Sequence, residues 1–237
     1  MQRAETMESF DITFNKARHE RKFLIDELDK GEVEQYIKEN PGMFSEIYNK
    51  RTVNSLYLDT ADFGSYHDNV LGHERRVKIR VRWYGLAFGL IPNPVLEFKI
   101  KNSELGSKNS YALRSFILDK MFSAAALQEV FDSSRLPLWL RNHLKAVKPI
   151  LMVSYIRRYF RSADKAYRLT IDHGLEYYRI HEEHNSFTEH ASQHETVVVE
   201  LKYNKNTDDG VEFITSSFPF RVTKNSKYVT GMDLLHF

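Results

Sequence analysis

The residues best equipped for chemistry in this chain are arginines, lysines and glutamates that recur at every second position. Arg76, Lys78, Arg80 and Arg82 alternate with Val77, Ile79, Val81 and Trp83. Glu97, Lys99 and Lys101 alternate with Leu96, Phe98 and Ile100, while Val198, Glu200 and Lys202 alternate with Val197, Val199 and Leu201. Arg168, Thr170 and Asp172 alternate with Leu169 and Ile171. A Glu-x-Lys unit recurs at Glu20/Lys22, Glu97/Lys99 and Glu200/Lys202. Successive side chains of a strand point to opposite sides, so each charged set shares one face. An antiparallel sheet with one wet face gives the same alternation. The concentration of arginine and lysine, with glutamates among them, favours a barrel whose charged faces point inward and whose aliphatic faces pack outward on helices. Cations crowded in a partly dehydrated space need a polyanion to compensate them. Arginine offers forked donors that match phosphate oxygens, and lysine a point charge. Glutamates in such a tunnel serve as ion-pair partners or as oxygen ligands of Mg²⁺ or Mn²⁺. Phosphoryl transfer needs positioning and charge neutralisation more than a covalent nucleophile.

The elements that must position these residues are mostly strands. Period-two patterns cover His19–Ile25, Thr52–Asp59, Arg75–Tyr84, Val95–Lys101, Ser110–Arg114, Ile150–Phe160, Tyr167–Asp172, Leu175–Ile180, Thr196–Tyr203 and Phe220–Lys224. Phe10, Ile12 and Phe14 suggest a further edge strand. Helical spacing covers Leu28–Lys38, stopped by Asn40-Pro41-Gly42. It also covers Phe116–Phe131 and Leu136–Val147, with Pro137 in a first turn, and Asp208–Ser217. Strand–helix alternation is too irregular for a Rossmann-type sheet. With 237 residues and no linker-like stretch, residues 1–237 are expected to form a single domain. The expected fold is α+β: an antiparallel β-barrel of about eight strands forming a tunnel, with peripheral helices. The net charge of +2 excludes a globally basic nucleic-acid binder, so an anion site must come from local clustering. The absence of cysteine excludes disulfides, CxxC zinc sites and a thiol nucleophile. No apolar run approaches a membrane span or a signal sequence, so a cytoplasmic location is expected.

Together these segments resemble the catalytic domain of the vacuolar transporter chaperone (VTC) polyphosphate polymerases, within the CYTH or triphosphate tunnel metalloenzyme superfamily. The matching pieces are His19–Ile25, Asn54–Thr60, Arg75–Gly85, Leu96–Lys99, Val153–Phe160, Arg168–Asp172, Val199–Tyr203 and Lys224–Tyr228, in the family's order. The resemblance implies a barrel of about eight strands around a tunnel. It implies that Lys22, Arg80, Arg82, Lys99, Lys108, Arg157, Arg168 and Lys227 bind the phosphate chain, with Arg158 as the alternative to Arg157. It implies that Glu200 holds the metal, Mn²⁺ or Mg²⁺. By parity Glu20 can join Glu200 at the metal, and Lys202 can join the lysines on the substrate. Tyr155 could stack on a nucleobase or simply pack. The chain departs from the superfamily's first-strand Glu-x-Glu-x-Lys by reading Arg18-x-Glu20-x-Lys22. VTC-type members share that change, which leans toward polymerase-like phosphate handling.

The implied reaction moves the γ-phosphoryl group of a nucleoside triphosphate onto polyphosphate. The alternatives are a tunnel triphosphatase, hydrolysing tripolyphosphate or a nucleoside triphosphate, and a non-catalytic binder of polyphosphate or RNA. Arg75–Tyr84 followed through Trp83 and Tyr84 could serve single-stranded nucleic acid. The glutamates on the same faces would repel a phosphodiester backbone, so no nucleic-acid partner is expected. His181, His184, His190 and His194 have metal-like spacing but fall in a loop-like segment. Asp59-Thr60-Ala61-Asp62 reads as a strand end running into a capped helix, although the parity of Tyr57 and Asp59 permits a tunnel position.

Overall fold

The structure is a computed structural model that describes residues 19–102, 105–204 and 210–237. The expected edge strand at Phe10, Ile12 and Phe14, the Arg18 substitution and the start of the Asp208–Ser217 helix lie outside the described residues. In chain order the elements are β1 (His19–Ile25), α1 (Lys30–Glu39), β2 (Ser45–Asp59), α2 (Gly64–Val70), β3 (Arg75–Tyr84), β4 (Gly89–Ile91), β5 (Val95–Asn102) and β6 (Leu105–Ala112). There follow β7 (Phe116–Leu118), α3 (Ala124–Ser133), α4 (Leu138–Leu144), β8 (Lys148–Arg161), β9 (Arg168–Arg179), β10 (His190–Gln193), β11 (Val197–Tyr203), α5 (Val211–Ser216) and α6 (Lys227–Leu234).

The main path of the sheet runs β1-β11-β9-β8-β2-β3-β5-β6, with β10 added beside β9. All of its ladders are antiparallel. Among the described residues no ladder joins β6 back to β1. Side chains cross that seam instead: Lys99 on β5 donates to Glu20 on β1 at 3.1 Å. The register carries the expected parity across every ladder. Tyr57 lies opposite Arg80, Arg80 opposite Glu97, Lys22 opposite Glu200, and Glu200 opposite Thr170. The alternate residues face outward. Leu56, Val81, Trp83, Leu96 and Phe98 bury against α3 and α4 through Leu127, Phe131 and Leu140. Phe23, Leu169, Ile171, Val199 and Leu201 bury against α1 and α5 through Val33, Ile37, Val211 and Ile214. The two apolar layers therefore lie outside the sheet, which leaves its interior free for charge.

At one end the interior is apolar as well. Val53, Leu151, Val153, Leu175, Tyr177 and Val198 pack there with Tyr228 and Met232 of α6. Gly231 sits at the closest approach, where an added Cβ would lie 2.6 Å from both Leu151 and Tyr177. Helix α6 thus fills one mouth of the tunnel. It starts at Ser226, whose side chain accepts from the Val229 amide.

Several boundaries differ from the sequence expectation. Phe116–Leu118 is a strand paired with β4, so helix begins only at Ala124. Its apolar positions imitate helical spacing, but the partner strand lies far back in the chain. Phe220–Lys224 forms only an isolated bridge at Val222. The two strands expected at Tyr167–Asp172 and Leu175–Ile180 are one, β9, which runs through Gly174 at a φ of 59°. Pro137 caps α4 rather than occupying its first turn.

Candidate active site

Most of the expected basic residues converge inside the sheet, and each is held by a carboxylate. On β3, Arg80 donates to Glu97 through two nitrogens at 2.9 and 2.7 Å, and Arg82 lies 3.6 Å from the same carboxylate. Lys108 on β6 donates to the other oxygen of Glu97 at 2.8 Å. On β8, Arg157 forks onto Asp172 at 2.5 and 2.7 Å and reaches Glu200 at 3.4 Å. Lys227, the first residue of α6, meets Asp172 at 2.6 Å. Lys22 lies 3.6 Å from Glu20 and 3.5 Å from Glu200. Lys202 lies 3.9 Å from Glu20 and 3.1 Å from Glu200. Arg157, Lys227, Glu97, Glu200 and Asp172 are all buried.

Arg168 stands apart. It has the interior parity, opposite Lys202 and Arg161, but it is exposed at the rim. Arg158 faces outward, where it pairs with Glu34 and Glu46. Of the two neighbouring arginines, Arg157 is therefore the one that faces the interior. Tyr155 is 2% exposed, beneath the Arg157 guanidinium at 5.3 Å and the Lys227 ammonium at 4.8 Å. Its hydroxyl accepts from Arg82 at 3.4 Å.

Three participants carry more weight than the sequence assigned them. Glu97 and Asp172 are the hubs that tie the arginines together. Lys78 donates to Ser226 at the cap of α6, at 2.7 Å. All three share the parity of residues already singled out, which was the available signal. Tyr57 faces the interior, where its hydroxyl accepts from Arg80 at 3.3 Å and its ring stacks on Tyr228. Asp59 instead caps α2, accepting from the Ser65 and Tyr66 amides and from the Tyr228 hydroxyl. The histidines disperse: His181 meets Glu189, His194 meets Glu176, and His190 stacks on Tyr178.

The ionisation of the interior follows from this crowding. Burial and the neighbouring Glu200 push Glu20 up, but Lys22, Lys99 and Lys202 outweigh them and bring it to about 2. Burial likewise opposes ionisation of Glu97, yet Arg80, Arg82 and Lys108 hold it at about 2. Glu200 is held well below the usual carboxylate range by Lys202, Lys22 and Arg157, against its burial. Burial brings Lys99 down to about 8 against the pull of Glu20, and Lys22 and Lys202 add to the effect. Burial, together with Lys22, Lys99 and Arg76, depresses Lys78 well below an ordinary lysine. The interior therefore holds more positive charge than its own carboxylates neutralise comfortably.

The VTC domain model matches residues 17–236, nearly the whole chain. The chain belongs to the VTC domain family. This VTC domain also shares its fold with two solved structures. One is HpAC1 of Hippeastrum, described as a candidate adenylyl cyclase with a dominant triphosphatase activity. It aligns at 12% identity and a TM-score of 0.52, covering 91% of this chain and 95% of its own. The other is a candidate adenylate cyclase from Vibrio parahaemolyticus, at 9% identity and a TM-score of 0.50, covering 91% and 99%. No curated protein matches this chain significantly. At these identities the structural likeness speaks for the tunnel fold alone. No helix among the described residues of the VTC domain is long and apolar enough to cross a membrane.

Proposed function

We propose that this VTC domain is a phosphotransferase that moves the γ-phosphoryl group of a nucleoside triphosphate onto a polyphosphate chain. The observation that carries the reading is the convergence of Lys22, Arg80, Arg82, Lys99, Arg157, Lys202 and Lys227 on one interior, from separate strands and a helix end. Arg80, Arg82 and Lys108 form one bank around Glu97, and Arg157 and Lys227 form another around Asp172. The two banks adjoin at Tyr155, which both Arg82 and Arg157 contact, so together they can grip a donor triphosphate and the end of an acceptor chain. The terminal oxygen of the acceptor attacks the γ-phosphorus, the bridge to the β-phosphate breaks, and nucleoside diphosphate leaves. The cations hold both chains in line and offset the charge spread over the transferring group. Lys202 and the rim residue Arg168 guide the chain inward.

Glu200 and Glu20 would hold Mn²⁺ or Mg²⁺. Buried Glu20 Oε1 and Thr170 Oγ1 have no hydrogen-bond partner, and Thr170 lies opposite Glu200 in the ladder. Among the described residues no group of three or more acidic or histidine side chains gathers as a complete cage. One or two carboxylates completed by phosphate oxygens and water match how Mg²⁺ is commonly held. When bound, the ion supplies charge neutralisation on the phosphate oxygens.

A second reading, hydrolysis of triphosphate, is favoured by the triphosphatase activity described for HpAC1, which shares the fold. The same interior serves both, because only the acceptor changes from phosphate to water. The deciding experiment incubates the protein with ATP and Mn²⁺ and resolves phosphate chains on a gel. Long chains support transfer to polyphosphate, and orthophosphate alone supports hydrolysis. Tight anion binding with no turnover supports a binding protein. Glu200→Gln is expected to abolish turnover while leaving chain binding nearly intact. Normal metal-supported turnover in that variant overturns the metal assignment.

A further inference from the structure

At the open end of the tunnel, three tyrosines surround one arginine. The Arg51 guanidinium carbon lies 5.3 Å from the centre of the Tyr48 ring and 5.8 Å from those of Tyr84 and Tyr159. The Tyr48 and Tyr159 rings meet edge to face, with centroids 5.8 Å apart. The backbone builds this group deliberately. Tyr48 and Arg51 differ in parity, and a regular strand would send them to opposite faces. Register shifts on either side of Tyr48 bring both to the interior side, Tyr48 opposite Tyr159 and Arg51 opposite Arg157. The rings are not core: Tyr48 is 54% exposed and Tyr84 is 51% exposed. They lie beside a shallow hollow lined by Glu46, Ile47, Tyr48, Asn49 and Arg51.

We propose that Tyr48, Arg51, Tyr84 and Tyr159 form a stacking platform for the base of the nucleoside triphosphate. The proposal rests on the phosphate-binding reading of the tunnel and names the donor that the tunnel takes. Tyr84 is two residues beyond Arg82, and Tyr159 two beyond Arg157, a step of roughly 6.5 Å along a strand. A triphosphate held by those arginines sets its sugar and base at the rings. Exposed tyrosine faces and a guanidinium plane bind a base by stacking and cation–π attraction, with little regard to its identity. Inorganic phosphate chains gain nothing from the tyrosine faces, which are what the test removes. Tyr155, two residues before Arg157, is too enclosed to take the role.

The test measures calorimetric affinities for ATP and for tripolyphosphate at matched ionic strength, in the wild type and in the Tyr48→Ala/Tyr84→Ala double variant. Both positions are exposed, and a thermal unfolding scan verifies the fold. The ratio of ATP affinity to tripolyphosphate affinity is expected to fall about tenfold or more, the scale of one lost stacking contact. An unchanged ratio overturns the platform. Arg82→Ala separates this from failure of the tunnel reading, because it is expected to weaken both ligands together. A wild-type protein that binds tripolyphosphate but prefers ATP no better than the double variant does refutes the platform alone. A wild-type protein that binds neither ligand refutes the tunnel and the platform together.

Discussion

Glu97 neutralises one whole bank of the tunnel, since Arg80, Arg82 and Lys108 all lie within ion-pair distance of it. Removing one partner of a buried pair costs on the order of 3 kcal/mol, because the remaining charges stay desolvated. Glu97→Gln is therefore expected to lower the thermal midpoint while raising affinity for tripolyphosphate. Added tripolyphosphate should recover most of the lost stability. A variant that is destabilised and also binds more weakly contradicts this account. Lys99 gives a pH dependence. Its ammonium titrates near 8 instead of 10.5, and a bound anion favours the charged form. Affinity for the chain is thus full below about pH 8 and declines as pH rises through that value. Lys99→Arg, which stays charged, should carry the affinity to higher pH. An identical pH profile in both proteins excludes Lys99 as the titrating group. At this scale the sequence was informative about side and poor about partner. Alternation put Lys22, Arg80 and Lys99 on shared charged faces, and the concentration of cations with glutamates among them pointed those faces inward. That Glu97 and Asp172 are hubs depended on the register between strands and, for the contact between Lys227 and Asp172, on where α6 docks, which no local pattern encodes.

Helix α6 acts as a unit. It closes the apolar end with Tyr228 and Met232, and its first turn presents Ser226 and Lys227 to the charged interior. The close approach at Gly231 makes that docking sensitive to a single methyl group. Gly231→Ala is expected to cost about 1–3 kcal/mol by overpacking. Since the same helix carries Lys227, affinity for tripolyphosphate should fall with it. Leu234→Ala, at a position 38% exposed, is the control and should leave both measurements nearly unchanged. If Gly231→Ala melts and binds like the wild type, the packing described here is wrong. This helix was the element least legible beforehand. Lys224–Tyr228 showed itself as a set of matching residues, but eight helical residues give too short a period to detect. β1 and β3 were legible to the residue, because β3 alternates cations with apolar residues from Arg76 to Trp83 and β1 carries the Glu20/Lys22 unit. β9 was read as two strands because Gly174 interrupts the pattern, and its parity changes beside the irregular register of β8.

The molecule as a whole carries a net charge of only +2, yet the cations gathered inside outnumber Glu20, Glu97, Asp172 and Glu200 by more than that. The rest of the chain is consequently net acidic. Field lines from the interior then emerge mainly through the open mouth, which draws anions there rather than to the outer surface. A polyanion that binds only the folded state should raise stability by about 2.7 kcal/mol at a hundredfold excess over Kd. Thermal unfolding with added tripolyphosphate is expected to show this rise, and added salt should diminish it. A midpoint indifferent to tripolyphosphate would argue against an interior site.

Among the described residues, the stopper formed by Tyr228, Met232 and their neighbours shuts one mouth of the passage and leaves the opposite mouth as the doorway. Whatever comes in must back out the same way. A polymer longer than the cavity cannot slide through it, and its far end trails in bulk water while its near end is gripped. Departure is then a withdrawal against the full row of contacts, so long chains should leave more slowly than short ones.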